Sequence, residues 1–380
     1  MVLKEHSMTA LLVNRSDQLE ELVQHILNEN LVAVDTESNS LFAYQEQVCL
    51  IQFSTAHMDA LVDPFAVDDL SPLGVIFAEP NIEKIFHAAE YDLFCLHRDF
   101  QFQFDKLFDT MLAARILGRK QIGLGSLLEA EFGIKLNKRF QRANWGMRPL
   151  SNEMLAYAQD DTHYLIPLRE KLWDELQTRN LMPLAQEDFE RLIRVNGHEN
   201  ATNNKCDEIW RIHGAQELSP DKAAVLNELV LFRDRMARKL DRPLFKVLSD
   251  QTLLNLARSC PTNLDELGRM AGISLRQIDR YGNGLIQAIQ RGLRNPPLYP
   301  NHNNRPSDEY LERLEKLRHW RKTTAVRMGV PSDVVLPRDV LLRLVQNPPH
   351  DQAQLAQSLW DVPWRLEHFG SQILSLFQRN

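Results

Sequence analysis

Cysteine is scarce in this chain: 4 in 380 residues, Cys49, Cys95, Cys206 and Cys260, far apart and without a CxxC pair. That spacing excludes a zinc ribbon and offers no disulfide framework, so the thiols read as buried side chains. Long hydrophobic runs are lacking too. None approaches the roughly 18 apolar residues of a membrane span, and the first residues, MVLKEHSMTALLVNRSDQ, lack the charged start, apolar core and cleavage site of a leader. A cytoplasmic protein with no membrane partner is expected, and a monomer. A positive balance is also missing, with 44 Lys+Arg against 51 Asp+Glu and a formal net charge of -7. Alone that argues against a nucleic-acid partner. The charge is uneven, however: the acidic surplus lies in the front half and the back half is mildly basic, which suggests a division of labour. What the chain does have is 44% hydrophobic residues over a length sufficient for two or three cores.

Through the first 100 residues, short β-rich runs (LLVN, LVAVDTE, VCLIQFS, DALVDP, KIFHAA) alternate with helical patterns such as DQLEELVQHILNEN and EYDLFCLHRDF, the rhythm of an α/β domain. The closely spaced early runs predict a hairpin or meander opening the sheet. From about 105 to 195 the pattern reads as helix throughout. The back half repeats itself. At an offset of 88, FRDRMARKLDRPLFKVLSDQTLLNL (232–256) aligns without a gap with WRKTTAVRMGVPSDVVLPRDVLLRL (320–344), pairing Arg233 with Arg321, Pro243 with Pro331 and Leu248 with Leu336. The same offset sets Tyr281 on Phe369 and Gly282 on Gly370. Two copies of one small helical domain are therefore expected. The Pro- and Asn-rich RNPPLYPNHNNRPSD breaks helix between them, and VNGHENATNN ends the front domain. The expected boundaries are 1–204, 205–295 and 296–380.

In LVAVDTESNS an apolar strand runs into Asp35 and Glu37, which share a face because strand side chains alternate. Two like charges side by side call for a cation, and hard divalent ions such as Mg2+ and Mn2+ prefer carboxylate oxygens. Asp92, in FHAAEYDLFCL, falls at a helix start, where the dipole favours an acid. Tyr157 and Asp161, in LAYAQDDTHYL, lie four apart and so on one helix face. Each alone has an ordinary structural reading, as a strand end at the surface, a cap or an intrahelical contact. Together, four carboxylates can hold two divalent ions about 4 Å apart, the arrangement that hydrolyses phosphodiesters, and a tyrosine hydroxyl could orient the water.

DTE at 35–37, the Asp of FHAAEYDLFCL and YxxxD at 157–161 resemble the three motifs of the DEDD exonuclease superfamily, tyrosine subclass. YQEQVCLIQFS, FDTMLAARILG and LGSLLEAEFGIKLNKRFQRANWGMRPLSNEMLAYAQDDTHYLIPL are similar to the ribonuclease D family, and the doubled unit resembles the HRDC module. The resemblance implies an α/β, ribonuclease H-like exonuclease domain with a mixed sheet, followed by two small all-α HRDC-like domains. It implies that Asp35, Glu37, Asp92 and Asp161 ligate two metal ions, Mg2+ or Mn2+, and that Tyr157 positions the nucleophilic water. A histidine subclass would carry His at position 156, which is Ala156; His163 does not fit that role. Ser38, where Phe is common, and RANW at 142–145, where SDW is usual, depart from the pattern on the substrate side.

The resemblance implies a 3′–5′ exoribonuclease trimming RNA 3′ ends, with tRNA precursors as substrate and the HRDC-like domains holding RNA. A 3′–5′ DNA exonuclease and a non-catalytic nucleic-acid-binding scaffold stay open as alternatives. His87, Trp145 and Arg148 are further candidate RNA contacts: His87 for a phosphate or the terminal ribose, Trp145 for stacking on a base, Arg148 for a phosphate. Removing residues 205–380 should weaken RNA binding more than cleavage of a short oligonucleotide.

Overall fold

The computed structural model describes residues 10–196, 209–300 and 306–378, and most of the break expected over 195–204 lies outside them. By contacts the chain forms two compact units. The first comprises residues 1–38, 48–199 and 306–380, the second residues 39–47 and 200–305.

The first unit is built on a six-stranded mixed sheet. Its strands are β1 (Leu11–Val13), β2 (Leu31–Ser38), β3 (Val48–Ser54), β4 (Asp59–Val62), β5 (Glu83–Phe86) and β6 (Leu107–Asp109), in the order β1-β4-β3-β2-β5-β6. Of the hairpin or meander expected from the first three β runs, the β2–β3 hairpin is present: β2 pairs antiparallel with β3 and β3 with β4, while β1 pairs with β4, in parallel. β2 pairs parallel with β5, and β5 with β6. β2 thus lies inside the sheet with both edges paired, and Val32, Ala33 and Val34 are buried, as a strand covered on both faces requires. The short β6 interrupts a stretch that reads as helical in the sequence.

Helix α1 (Ser16–Ile26) buries Leu19, Leu22, Val23 and Ile26, the i, i+3, i+4, i+7 stripe of an amphipathic helix. α2 (Ser71–Ala78), α3 (Glu90–Phe100), α4 (Thr110–Ile116), α5 (Leu124–Phe132), α6 (Asn152–His163), α7 (Leu165–Thr178) and α8 (Met182–Asn196) complete the α/β part. The face of β2 and β3 that carries Asp35 lies beneath α6. Ser54 Oγ donates to Thr162 Oγ1 at 2.7 Å and Gln159 Nε2 to Asp59 Oδ2 at 2.7 Å, fixing that helix on the sheet.

The back half repeats helix for helix. α9 (Pro220–Leu240), α10 (Leu244–Val247), α11 (Asp250–Ser259), α12 (Leu264–Gly268) and α13 (Leu275–Arg294) are followed by α14 (Asp308–Met328), α15 (Ser332–Val335), α16 (Arg338–Gln346), α17 (Gln352–Ser358) and α18 (Pro363–Gln378). Every start recurs 88 residues on, as 308 − 220 and 363 − 275 show. The bonds recur too: Arg233 Nη1 donates to the Leu248 carbonyl at 3.2 Å and Arg321 Nη1 to the Leu336 carbonyl at 3.0 Å.

The copies belong to different units. The first, with the loop Asn39–Gln47, forms the second unit, where Tyr44 donates from its hydroxyl to Asp234 at 2.6 Å and from its backbone nitrogen to Asp241 at 3.0 Å. The second copy is part of the first unit, packed on α8. There Arg365, fully buried, donates to Glu187 and to both oxygens of Asp188, and Arg191 donates to Asp339 and Asp361.

Candidate active site

Alternation along β2 turns Asp35 and Glu37 to one face, with Gln52 and Leu50 their partners across β3. The pairing slips between Glu37 and Ser38, so the strand stops pairing regularly just past its second acid. α6 starts at Ser151, whose side chain accepts from the Met154 nitrogen, and brings Tyr157 and Asp161 to the same place one turn apart. Asp35, Glu37, Tyr157, Asp161 and His87 line one cleft of about 420 Å3. The opposite wall is the start of α5 (Gly123 to Ser126) and the loop after it, with Lys138.

Asp92 is not among the lining residues. It is buried in the first turn of α3 and accepts from the Thr36 hydroxyl at 2.5 Å. Thr36 points to the opposite face of β2 from its neighbours Asp35 and Glu37, so the fourth acid reaches the site from the other layer. Among the described residues, no three His, Cys, Asp or Glu side chains close around a single metal-sized point.

Electrostatically the four acids form one cluster. Burial pushes Asp35 well above the usual carboxylate range, and Asp92, Asp161 and Glu37 push it further. Glu37 rises to about 9, through burial and then Asp161 and Asp92. Asp92 rises to about 7 through burial, offset in part by the Thr36 bond, and Asp161 to about 7 through burial and Asp160. Burial and the neighbouring carboxylates also push the Tyr157 phenol up, which keeps it protonated and able to donate. The Tyr157 ring lies 6.0 Å from both Phe140 and Trp145.

Carboxylates that repel one another in a poorly solvated place need a counter-charge. Hard divalent cations fit this donor set, which is all oxygen. A second observation agrees. Gln52, fully buried and paired in register with Asp35, has no hydrogen-bond partner on either amide atom. A buried primary amide without partners costs free energy that a hydrated ion beside it would recover.

Two expected RNA contacts are corrected. Trp145 is 1% exposed and packs with Cys49, Leu50, Leu61 and Ala158, so it has no face to offer a base. Arg148 turns inward: Nε and Nη2 grip Asp63 at 2.6 Å each, Nη2 also reaches the Cys49 carbonyl, and Nη1 donates to Trp145 and Met147 carbonyls. All five guanidinium donors are occupied, leaving none for a phosphate. His163 bonds through Nδ1 to Asp59 Oδ2 at 2.8 Å and stands apart from the acids' cleft. Thr36, Gln52 and Lys138 escaped the sequence reading; the alternation that places Asp35 and Glu37 could have pointed to Thr36.

A mixed sheet with acids at the end of an inner strand, a third acid at a helix start and a Tyr/Asp pair on a helix across it defines a DEDD-type 3′–5′ exonuclease domain. The 3′–5′ exonuclease family matches residues 11–177, and the HRDC domain matches residues 222–289 and 311–376. Ribonuclease D of Desulfotalea psychrophila is 30% identical over 284 residues, 74% of this chain and 75% of that protein. Protein RRP6-like 3 of Arabidopsis thaliana is 35% identical over 282 residues, 67% of this chain and 31% of that one. The chain spans only 31%, 46% and 33% of the three Arabidopsis RRP6-like relatives. The crystal structure of Escherichia coli RNase D superposes with a TM-score of 0.71 over 98% of this chain and 99% of its own, at 24% identity, a likeness of fold. The chain belongs to the ribonuclease D family, with a ribonuclease H-like exonuclease domain and two HRDC domains. Among the described residues no helix is long and apolar enough to cross a membrane.

Proposed function

We propose that this chain is a 3′–5′ exoribonuclease that removes nucleotides from RNA 3′ ends as 5′-mononucleotides, with tRNA precursors as its substrate class. The observation that carries the reading is the single cleft lined by Asp35, Glu37, Asp161 and Tyr157, with Asp92 buried behind it and in electrostatic reach. Asp35, Glu37, Asp92 and Asp161 would hold two divalent ions, Mg2+ or Mn2+. When bound, the ions supply a lowered pKa for water and charge stabilisation for a phosphodiester. The protonated Tyr157 phenol hydrogen-bonds and orients the attacking water. Lys138, exposed on the far wall, offsets phosphate charge.

The HRDC copies would hold the RNA body, through basic helices such as α9, which carries Arg235, Arg238 and Lys239. A degradation assay tests the reading. Matched RNA and DNA oligonucleotides, with free or blocked 3′ ends, are incubated with Mg2+, Mn2+ or chelator, using the native protein and Asp35→Ala. The expected result is stepwise loss of mononucleotides from free RNA 3′ ends, abolished by chelator and by the substitution. Equal degradation of DNA, or cleavage of blocked ends, would overturn it. Unprocessed tRNA accumulating in cells that lack the protein is the matching test of substrate.

A further inference from the structure

His87 lies in the cleft but belongs to none of the acid motifs, and its surroundings fix which of its nitrogens carries the proton. Nδ1 is 2.9 Å from the Thr110 hydroxyl oxygen. That hydroxyl has one hydrogen, and it is donated to the Phe86 carbonyl at 3.0 Å, an atom that can only accept. The hydrogen between His87 and Thr110 therefore comes from the imidazole. Burial lowers the imidazole to about 4, so the ring is neutral at pH 7. A neutral ring protonated on Nδ1 leaves Nε2 as a bare acceptor.

The backbone is built to hold this orientation. Ala88, the next residue, has φ +67°, in the left-handed region that a residue with a Cβ enters only at a cost. The strain is held by buried Asp109, which accepts from the Ala88 nitrogen at 3.2 Å and the Ala89 nitrogen at 2.8 Å while also capping α4 through the Met111 and Leu112 nitrogens. Two of these four bonds to one buried carboxylate thus hold the left-handed backbone that follows His87.

We infer that His87 is a specificity residue that accepts, through Nε2, a hydrogen bond from a hydroxyl of the RNA's terminal ribose. The inference rests on the exoribonuclease reading and narrows it. A phosphate oxygen has no hydrogen to give this nitrogen, whereas the 2′- and 3′-hydroxyls of a terminal ribose both do, and they share one chemistry.

The test uses the full chain and three oligoribonucleotides of one sequence whose last residue is ribo, 2′-deoxy or 3′-deoxy. Release of the first nucleotide is measured with Mg2+, and equilibrium binding of the same three with chelator. The variants are His87→Phe, which removes both nitrogens; His87→Asn, which keeps a donor toward Thr110 but has no atom at the Nε2 position; and His87→Gln, whose amide oxygen can reach that position. Native protein is expected to favour the ribo end over one deoxy end by about threefold to tenfold, the worth of one neutral hydrogen bond. The deoxy form that is disfavoured identifies the hydroxyl. His87→Phe and His87→Asn should erase the preference by losing on the ribo end and on the deoxy end that keeps the bonded hydroxyl, but not on the deoxy end that lacks it, and His87→Gln should keep part of it. A long-range 15N–1H spectrum of the imidazole should show Nδ1 protonated.

Equal losses on all three substrates, an unchanged preference in His87→Phe, or a proton found on Nε2 would each overturn the inference. If the native protein cleaves none of the three, the exoribonuclease reading fails separately, and the binding preference still decides the role of His87.

Discussion

At the scale of single residues, the acid cluster is a set of groups whose protonation is displaced upward in the metal-free fold. Glu37 at about 9 and Asp92 and Asp161 at about 7 lie above the ordinary carboxylate values they regain on unfolding. The folded state therefore holds more protons, and its stability declines as pH rises from the ordinary carboxylate range through about 9. Chelated protein should melt at a lower temperature at pH 9 than at pH 5, and Mn2+ should restore much of the loss at the high end; a flat profile in chelator would contradict the electrostatics. Gln52 gives a sharper contrast. Replacing its partnerless amide by leucine should leave metal-free stability unchanged or higher by about 1–2 kcal/mol in a denaturant titration, while lowering turnover. Tyr157→Phe should lower kcat by about 10²-fold with KM little changed, since the rings around it stay packed and only the hydroxyl is lost. That Asp35 and Glu37 share a face, and Tyr157 and Asp161 another, was legible in the sequence because strand and helix periods fix it; that Asp92 lies behind them, bonded to Thr36, was not. The inward turn of Arg148 was not, because its partners Asp63 and Cys49 are 85 and 99 positions away and nothing in a local window aims the loop.

Among elements, the contact of α8 with α18 shows how one substitution between repeats changes a helix's role. Gln277 in the first copy corresponds to Arg365 in the second, 88 residues on. Gln277 donates to the Val247 carbonyl at 2.9 Å, and Arg365 to the equivalent Val335 carbonyl at 3.3 Å. The longer arginine then continues to Glu187 and Asp188. Burial holds Glu187 above its usual pKa even beside the guanidinium, so the pair sits in a costly setting. Arg365→Ala should destabilise the first unit by about 3–5 kcal/mol in a denaturant titration, because buried Glu187 and half-buried Asp188 lose their counter-ion. Gln277→Ala, with no acids to strand, should cost far less. Gly118, just after α4, has φ +76°, and a methyl there would fall 2.3 Å from the carbonyl oxygen of Gly329, just after α14, so Gly118→Ala should loosen a second point at which the second copy meets the exonuclease part. The repeat was visible as a string of matching letters; that the second copy docks on α8 was not, because the partners of Arg365, Glu187 and Asp188, lie outside the repeat. β6 was missed for another reason: three residues are too few to show an alternation.

For the molecule as a whole, the division into units changes what truncation should do. The sequence alone suggested that both repeats could be removed with RNA binding the main loss. Yet Val334 belongs to the apolar core of the exonuclease part, with Val330 and Trp364 packed against it, and the Trp364 nitrogen donates to Glu187 at 2.5 Å. Removing residues 306–380 should therefore lower both the melting temperature and the cleavage of short oligonucleotides. Bridging residues 209–300 with a flexible linker should spare the melting of the first unit and weaken binding of long RNA instead. Equal melting of the two truncations would show that the second copy is dispensable.

Arg365 lies 178 positions beyond the Glu187 it neutralises. At roughly 5–20 residues per second, a ribosome that has made α8 needs on the order of 10–35 s more before the guanidinium that completes it emerges. An unfinished polypeptide thus carries its acids and its phenol but not its frame. Translation that stalls short of α18 leaves Glu187 packed without the counter-ion it meets in the finished chain.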